Sequence, residues 1–174
     1  MKSKTYQILF ALLTMILGVL LHFTYKWSGG NPFVGIFSAI NESTWEHLKL
    51  IAIPMVLFIL PEYYLYGYSH PNFIPVRVLS ILLGMTVIVI IFYTYTGILG
   101  RHYLWADIAA FLLGITTAFG FSFKLLQTSA FSSDLAVMLS LLGLSVLIIC
   151  FIVFTYCNMR TFYFMIHRFS DIMQ

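Results

Sequence analysis

The chain has 174 residues, the length of one ordinary domain. Hydrophobic residues make up 61% of it and charged residues only 9%, whereas soluble domains carry about 25% charged residues. This number of charged residues is too small to cover the surface of a soluble globule. The composition therefore indicates an integral membrane protein with the lipid bilayer as its partner. The nine Lys+Arg residues form no clustered basic patch, which excludes nucleic-acid binding.

The first predicted element is a transmembrane helix over residues 6–26, which follows Lys2 and Lys4. A secretory signal has a similar charged start and apolar run. Here the apolar run is longer than usual and ends in bulky residues without a small-residue cleavage site. We therefore expect an uncleaved first span.

Four further spans follow from the intervals between charged residues. Charge-free runs as long as the roughly 20 residues that a helix needs to cross hydrocarbon predict spans at 76–99 and 135–157. Two shorter runs reach this length only across flanking charges, which gives spans at 45–66 and 104–125. For 45–66 a re-entrant or interfacial segment is the alternative. Tyr and Trp residues, which prefer the membrane interface, border these spans.

The predicted fold is thus an all-α bundle of five transmembrane helices in a single integral membrane domain, residues 1–174. Residues 28–44 form a loop, with a short interfacial helix predicted around Phe33–Ile40. Lys2 and Lys4 favour an N-terminus inside the cell, although the positive charges of the other loops slightly oppose it. We call the end of the bundle where the first span ends and the second begins the outer end, and the opposite end the inner end.

Topology brings a set of polar residues to the outer end. We call this set the outer cluster, and it consists of His22, Glu42, Glu46, His47, Arg101, His102 and Asp107. Imidazoles and carboxylates together can form a divalent-metal site or relay protons. The spacing does not match the H-E-x-x-H motif of zinc hydrolases, and a solvated interface is the alternative. Whether metal is bound stays open, and no cofactor is predicted.

Part of this cluster has a simpler interpretation as a helix start. Ser43 followed by Glu46 matches a capping box, in which the serine oxygen accepts from the amide three residues on and the glutamate reaches back. This interpretation predicts that Glu46→Gln is nearly silent and that Ser43→Ala costs about 1 kcal/mol.

Glu62 is a carboxylate near the end of the second predicted span, directly after Pro61. Charged residues inside a membrane usually face a bundle interior or a cavity. A carboxylate beside a helix break is typical of a transporter or proton relay. Alternatively, Glu62 lies one turn from water and reaches out between neighbouring tyrosines.

Three stretches of the chain are distinctive, namely Trp27-Ser-x-x-Asn31-Pro32-x-Val34-Gly35-x-Phe37, Asn41-Glu-Ser-x-Trp-Glu-His-Leu-Lys49 and Phe92-Tyr-Thr-Tyr-Thr-Gly97. Together they resemble a bacterial family of small multi-pass membrane proteins of unknown function. The resemblance covers about residues 7–156, beyond which the chain departs from the family's proline-rich ending. It implies a protein of the bacterial plasma or inner membrane and supplies no activity.

Three classes of function therefore stay open. A structural or interaction role without chemistry is favoured by the low density of ionisable residues, with a homo-oligomer or another membrane protein as the partner. A small-molecule or ion carrier would use Glu62. A membrane-embedded metal-dependent enzyme would use His22, Glu46 and His47.

Overall fold

The computed structural model describes the backbone of residues 2–172 and the side chains of residues 3–157. Within the described backbone it is helical and contains no strand, which confirms the predicted all-α fold. The helices are α1 (Lys2–Trp27), α2 (Pro32–Gly35), α3 (Thr44–Leu65), α4 (Phe73–Leu99), α5 (Leu104–Leu125) and α6 (Asp134–Ile172). A short 3-10 helix, Gly67–Ser69, precedes α4.

Five of these helices, all except α2, are long and apolar enough to cross a membrane. The predicted spans 45–66 and 104–125 correspond to α3 and α5, so the extension of both spans across flanking charges is confirmed. Helix α3 is continuous over its 22 residues, so no re-entrant turn interrupts it. The alternative of an interfacial segment stays open.

One predicted boundary is wrong. The interfacial helix is not Phe33–Ile40 but the single turn Pro32–Gly35, which begins where Asn31 accepts a hydrogen bond from the Phe33 amide. Among the residues whose side chains the structure describes, the last candidate span is Asp134–Cys157, which agrees with the predicted 135–157, and the helix itself continues to Ile172. Neither proline nor glycine occurs between residues 144 and 172, so the sequence contains none of the usual signals that end a helix.

Four helices form a ring in which each contacts two neighbours, in the order α1, α3, α4, α5. The residues in its centre are fully buried, among them Ile51, Ile81 and Ile115. Helix α6 lies outside the ring and packs mainly against α4, so most of its span faces away from the other helices.

Helix α1 approaches α3 closely at a break in the hydrogen bonding of α3. Pro54 has no amide proton, so it cannot donate to the carbonyl of Leu50 four residues earlier. Gly18 of α1 faces this carbonyl, and a Cβ at Gly18 would lie 2.4 Å from the Leu50 oxygen. Only glycine allows the α1 backbone to approach the freed carbonyl this closely, which is how small residues serve helix packing in membranes.

Candidate functional site

The loop that leads into α3 is fastened to the end of α1. The Ser38 side chain is fully buried, and its oxygen accepts a hydrogen bond from the Tyr25 amide at 3.0 Å. The same hydroxyl donates to the Leu21 carbonyl. Residues 36–43 therefore have a fixed position beside the last turns of α1, where His22 lies.

This placement brings together three members of the outer cluster, His22, Glu42 and His47, which we call the metal triad. Each offers one possible ligand atom, and these atoms all lie within 4.8 Å of one another. His47 Nε2 is 3.3 Å from Glu42 Oε2, and the centroids of the His22 and His47 rings are 5.2 Å apart. The histidines are half-buried, whereas the Glu42 side chain is 86% exposed, so the triad opens to the surface of the outer end.

The orientation of His47 is fixed by the helix that carries it. Its Nδ1 atom lies 2.9 Å from the Ser43 carbonyl oxygen, which can only accept a hydrogen bond. In a neutral imidazole, Nδ1 therefore carries the proton and Nε2 has the lone pair that faces Glu42. Metal-binding histidines commonly have this arrangement, in which the second ring nitrogen donates to a carbonyl or carboxylate.

Glu46 does not belong to this group, and the capping-box interpretation is only half right. Ser43 does cap α3, since its oxygen accepts from the Glu46 amide at 3.3 Å. The Glu46 carboxylate does not reach back to the Ser43 amide, which donates instead to Asn41 Oδ1. The second half of the capping box is therefore wrong, because a stronger partner draws this carboxylate into the protein.

That partner is Lys49, one turn along α3. The two side chains are fully buried, and Lys49 Nζ is 2.5 Å from Glu46 Oε2. Thr155 of α6 bridges the pair, accepting from Lys49 at 2.9 Å and donating to Glu46 Oε1 at 3.0 Å. We call Glu46, Lys49 and Thr155 the outer network.

The outer network also holds the loop that carries Glu42. Lys49 donates to the Gly35 carbonyl at 2.8 Å, and the Ile40 amide donates to Glu46 Oε2 at 3.1 Å. A buried ion pair is tolerated when further hydrogen bonds satisfy its remaining donors and acceptors, as they do here. The network thus connects α2, the following loop, α3 and α6 beside the metal triad.

The remaining members of the outer cluster form a separate group between α4 and α5. His102 Nδ1 is 3.5 Å from Asp107 Oδ2, and the Tyr95 hydroxyl donates to Asp107 Oδ1. Arg101 donates to the Tyr103 hydroxyl at 2.5 Å. Among the side chains that the structure describes, no hydrogen bond or ion pair joins this group to the metal triad, so the predicted cluster divides.

Glu62 is fully buried at the inner end and does not reach out to water, so the interpretation as a snorkelling carboxylate is wrong. Arg77 of α4 contacts both carboxylate oxygens, with Nε 2.6 Å from Oε2. The Tyr66 hydroxyl donates to Oε1 at 2.9 Å, and burial raises the pKa of this hydroxyl, which keeps it protonated. We call Glu62 and Arg77 the inner ion pair.

Arg77 is itself held on its other sides. It lies over the Phe119 ring, 4.4 Å from the centroid, and its Nη1 is 3.4 Å from Ser122 Oγ. A bidentate arginine–carboxylate pair combines two parallel hydrogen bonds with charge attraction. The pair therefore joins α3, α4 and α5 in one fixed arrangement.

Five helices that are long and apolar enough to cross a membrane, with two ion pairs buried between them, indicate a multi-pass membrane protein. More particularly, the chain belongs to a family of unknown function (DUF6512), which matches residues 1–168. The family expected from the sequence is thus confirmed as one of unknown function. The match continues past residue 156, so the predicted end of the resemblance was too early. No curated protein and no solved structure matches the chain.

Proposed function

We propose that the protein resides in a bacterial plasma membrane and binds one divalent transition-metal ion at its outer end. The observation that supports this proposal is the metal triad. His22 of α1, Glu42 of the loop and His47 of α3 converge although they come from three separate segments. Each presents one ligand atom, and the three atoms lie within 4.8 Å of one another.

The ligand set favours zinc or a neighbouring transition metal. Two imidazoles and one carboxylate suit such ions, whereas magnesium and calcium prefer oxygen ligands alone. Bonds of about 2.0–2.2 Å place the donors of a tetrahedral ion about 3.3 Å apart. The 3.3 Å between His47 Nε2 and Glu42 Oε2 already meets this requirement. The ligand atom of His22 lies within 4.8 Å of the other two, and metal binding requires it to move closer to them.

The number of protein ligands bears on what the ion does. Structural zinc sites are closed by four protein ligands, whereas catalytic sites have three and leave one position for water or substrate. The metal triad has three and faces the surface. This favours metal-dependent chemistry at the outer end, with Glu42 as the carboxylate ligand in place of the predicted Glu46.

The carrier alternative finds little support at Glu62. A carboxylate that carries protons or ions has to exchange its partner, whereas this one is held by Arg77 and Tyr66 at once. In liposomes we expect equal proton flux for the wild type and for Glu62→Gln. A flux that Glu62→Gln abolishes would restore the carrier.

Metal content tests the proposal. The purified protein is stripped with a chelator, incubated with zinc, separated from free ion and analysed for zinc per chain. We expect one ion for the wild type, loss of the ion in His47→Ala, and one ion in His102→Ala. His102→Ala is the matched control because it removes an exposed imidazole from the same end. Zinc-free wild type would leave the structural or interaction role.

A further inference from the structure

A cavity of about 390 Å³ lies at the inner end of the bundle, whereas the metal triad lies at the outer end. It is formed by the first turn of α1, the residue after the 3-10 helix, and the end of α5 with the two residues that follow it. Its lining residues are Ser3, Lys4, His70, Phe123, Leu126 and Gln127. None of the metal ligands takes part, so the cavity is independent of the proposed function.

The lining combines an apolar floor with a cationic, hydrogen-bonding rim. Phe123 and Leu126 form the floor, and the Lys4 ammonium lies 6.0 Å from the centre of the Phe123 ring. None of the lining residues is acidic. The nearby carboxylate of Glu62 is already neutralised by Arg77. The rim therefore favours an anion.

His70 is oriented to take part in this recognition. Its Nδ1 atom lies 3.0 Å from the Tyr66 carbonyl oxygen and 3.1 Å from the Ser69 hydroxyl. Because that hydroxyl donates its proton to the Tyr66 carbonyl, both neighbours accept and Nδ1 carries the proton in the neutral ring. No described hydrogen bond uses its Nε2 atom, which is left for the hydroxyl groups or bridging waters of a ligand. The Ser3 hydroxyl offers a further donor on the same rim.

The position of the cavity along the membrane normal identifies the kind of anion. The apolar stretch of α1 begins at Ser3 and that of α5 ends at Leu125, so the cavity lies where hydrocarbon gives way to water. A molecule that fits there needs a negative group for Lys4 and an apolar part for Phe123 and Leu126. Phospholipids with a net negative headgroup have both at this depth.

We propose that this cavity binds an anionic phospholipid, with the lipid phosphate at Lys4 and Ser3 and the apolar part of the lipid against Phe123 and Leu126. The first amides of α1 lack acceptors within the helix and add to the attraction for phosphate. Lys124 lies beside the cavity but does not line it, which gives the test its control.

Native mass spectrometry of the protein released from nanodiscs tests the proposal. The nanodiscs contain phosphatidylcholine with a small fraction of phosphatidylglycerol, and retained lipids are counted per chain. We expect the wild type to retain phosphatidylglycerol selectively and Lys4→Gln to retain about fivefold less, as about 1 kcal/mol per lysine implies. Lys124→Gln should retain as much as the wild type. Ser3→Asp, which places a negative charge on the rim, should retain none.

Equal losses in Lys4→Gln and Lys124→Gln would show general charge attraction and overturn the proposal. A second arm adds inorganic phosphate before release. If millimolar phosphate displaces the phosphatidylglycerol, the ligand is a free phosphate compound and the lipid is the wrong source. Unchanged retention in phosphate supports the lipid.

Discussion

Glu46 and Lys49 form an ion pair across one turn of α3, and neither side chain has any exposed surface. The carboxylate that the sequence assigned to a helix cap is therefore the counter-ion of a buried lysine. Thr155 and the amide of Ile40 complete its hydrogen bonding. We therefore expect substitution of Glu46 to affect stability differently from the loss of a helix cap.

We predict that Glu46→Gln destabilises the protein far more than Ser43→Ala. Removing one partner of a buried pair leaves the other charge uncompensated, at a cost of about 3–5 kcal/mol. Ser43→Ala removes a cap worth about 1 kcal/mol. Thermal unfolding in detergent measures both. Glu42→Gln is the matched control and should leave the metal-free protein unchanged, because the Glu42 side chain is exposed. A silent Glu46→Gln would contradict the buried pair.

The inner ion pair predicts strong coupling between Glu62 and Arg77. Glu62→Gln and Arg77→Met should each cost about 3–5 kcal/mol, because each leaves a buried charge without its partner. The double variant removes both charges and should cost less than the sum of the two. Unfolding of all four proteins in detergent gives the coupling energy. Additive losses would mean that the two side chains act independently.

The helices could be predicted from the sequence, whereas the partners of the buried charged residues could not. Spans such as 104–125 follow from length and apolar character alone, which is why α5 agrees with its prediction. Glu62 could be recognised as a costly charge, but its partner Arg77 lies 15 positions away on another helix. In the sequence, the buried Lys49 looks like a residue at the membrane boundary, because it lies near the start of α3.

Only part of the metal triad could be predicted, because the sequence does not show which side chains meet. Topology places His22, Glu42 and His47 at one end of the bundle. Glu46 and His47 are neighbours in the sequence, so helix geometry puts their side chains on different sides of α3. The periodicity alone does not say which of these two residues points into the core. Thr155 gave no signal, because a lone threonine near the end of an apolar helix is ordinary.

The contact between Gly18 and the Leu50 carbonyl predicts an intolerance of any side chain at position 18. In Gly18→Ala the new Cβ would lie 2.4 Å from backbone oxygen and 2.7 Å from the Phe111 ring. We expect a loss of about 1–3 kcal/mol, typical of an overfilled contact. Gly143→Ala in α6 is the control, since nothing lies within 4 Å of its Cβ position. It should be neutral or stabilising by up to about 1 kcal/mol.

Five spans place the α4–α5 loop and the α5–α6 loop on opposite sides of the membrane. In a Cys150→Ala, Cys157→Ala background, His102→Cys and Ser129→Cys introduce one exposed thiol in each loop. A membrane-impermeant reagent applied to intact cells should label His102→Cys alone if the N-terminus is inside. Labelling of Ser129→Cys alone would reverse the orientation, and labelling of both would contradict α5 as a span.

Zinc titration by calorimetry tests the metal triad most directly, because it measures affinity and stoichiometry together. We expect one site per chain in the wild type. We also expect the affinity to be lower by at least about tenfold in His22→Ala, Glu42→Gln and His47→Ala, since each removes one ligand. His102→Ala should match the wild type. Absence of a saturable site, or equal affinity in His47→Ala and His102→Ala, would contradict a metal site at the triad.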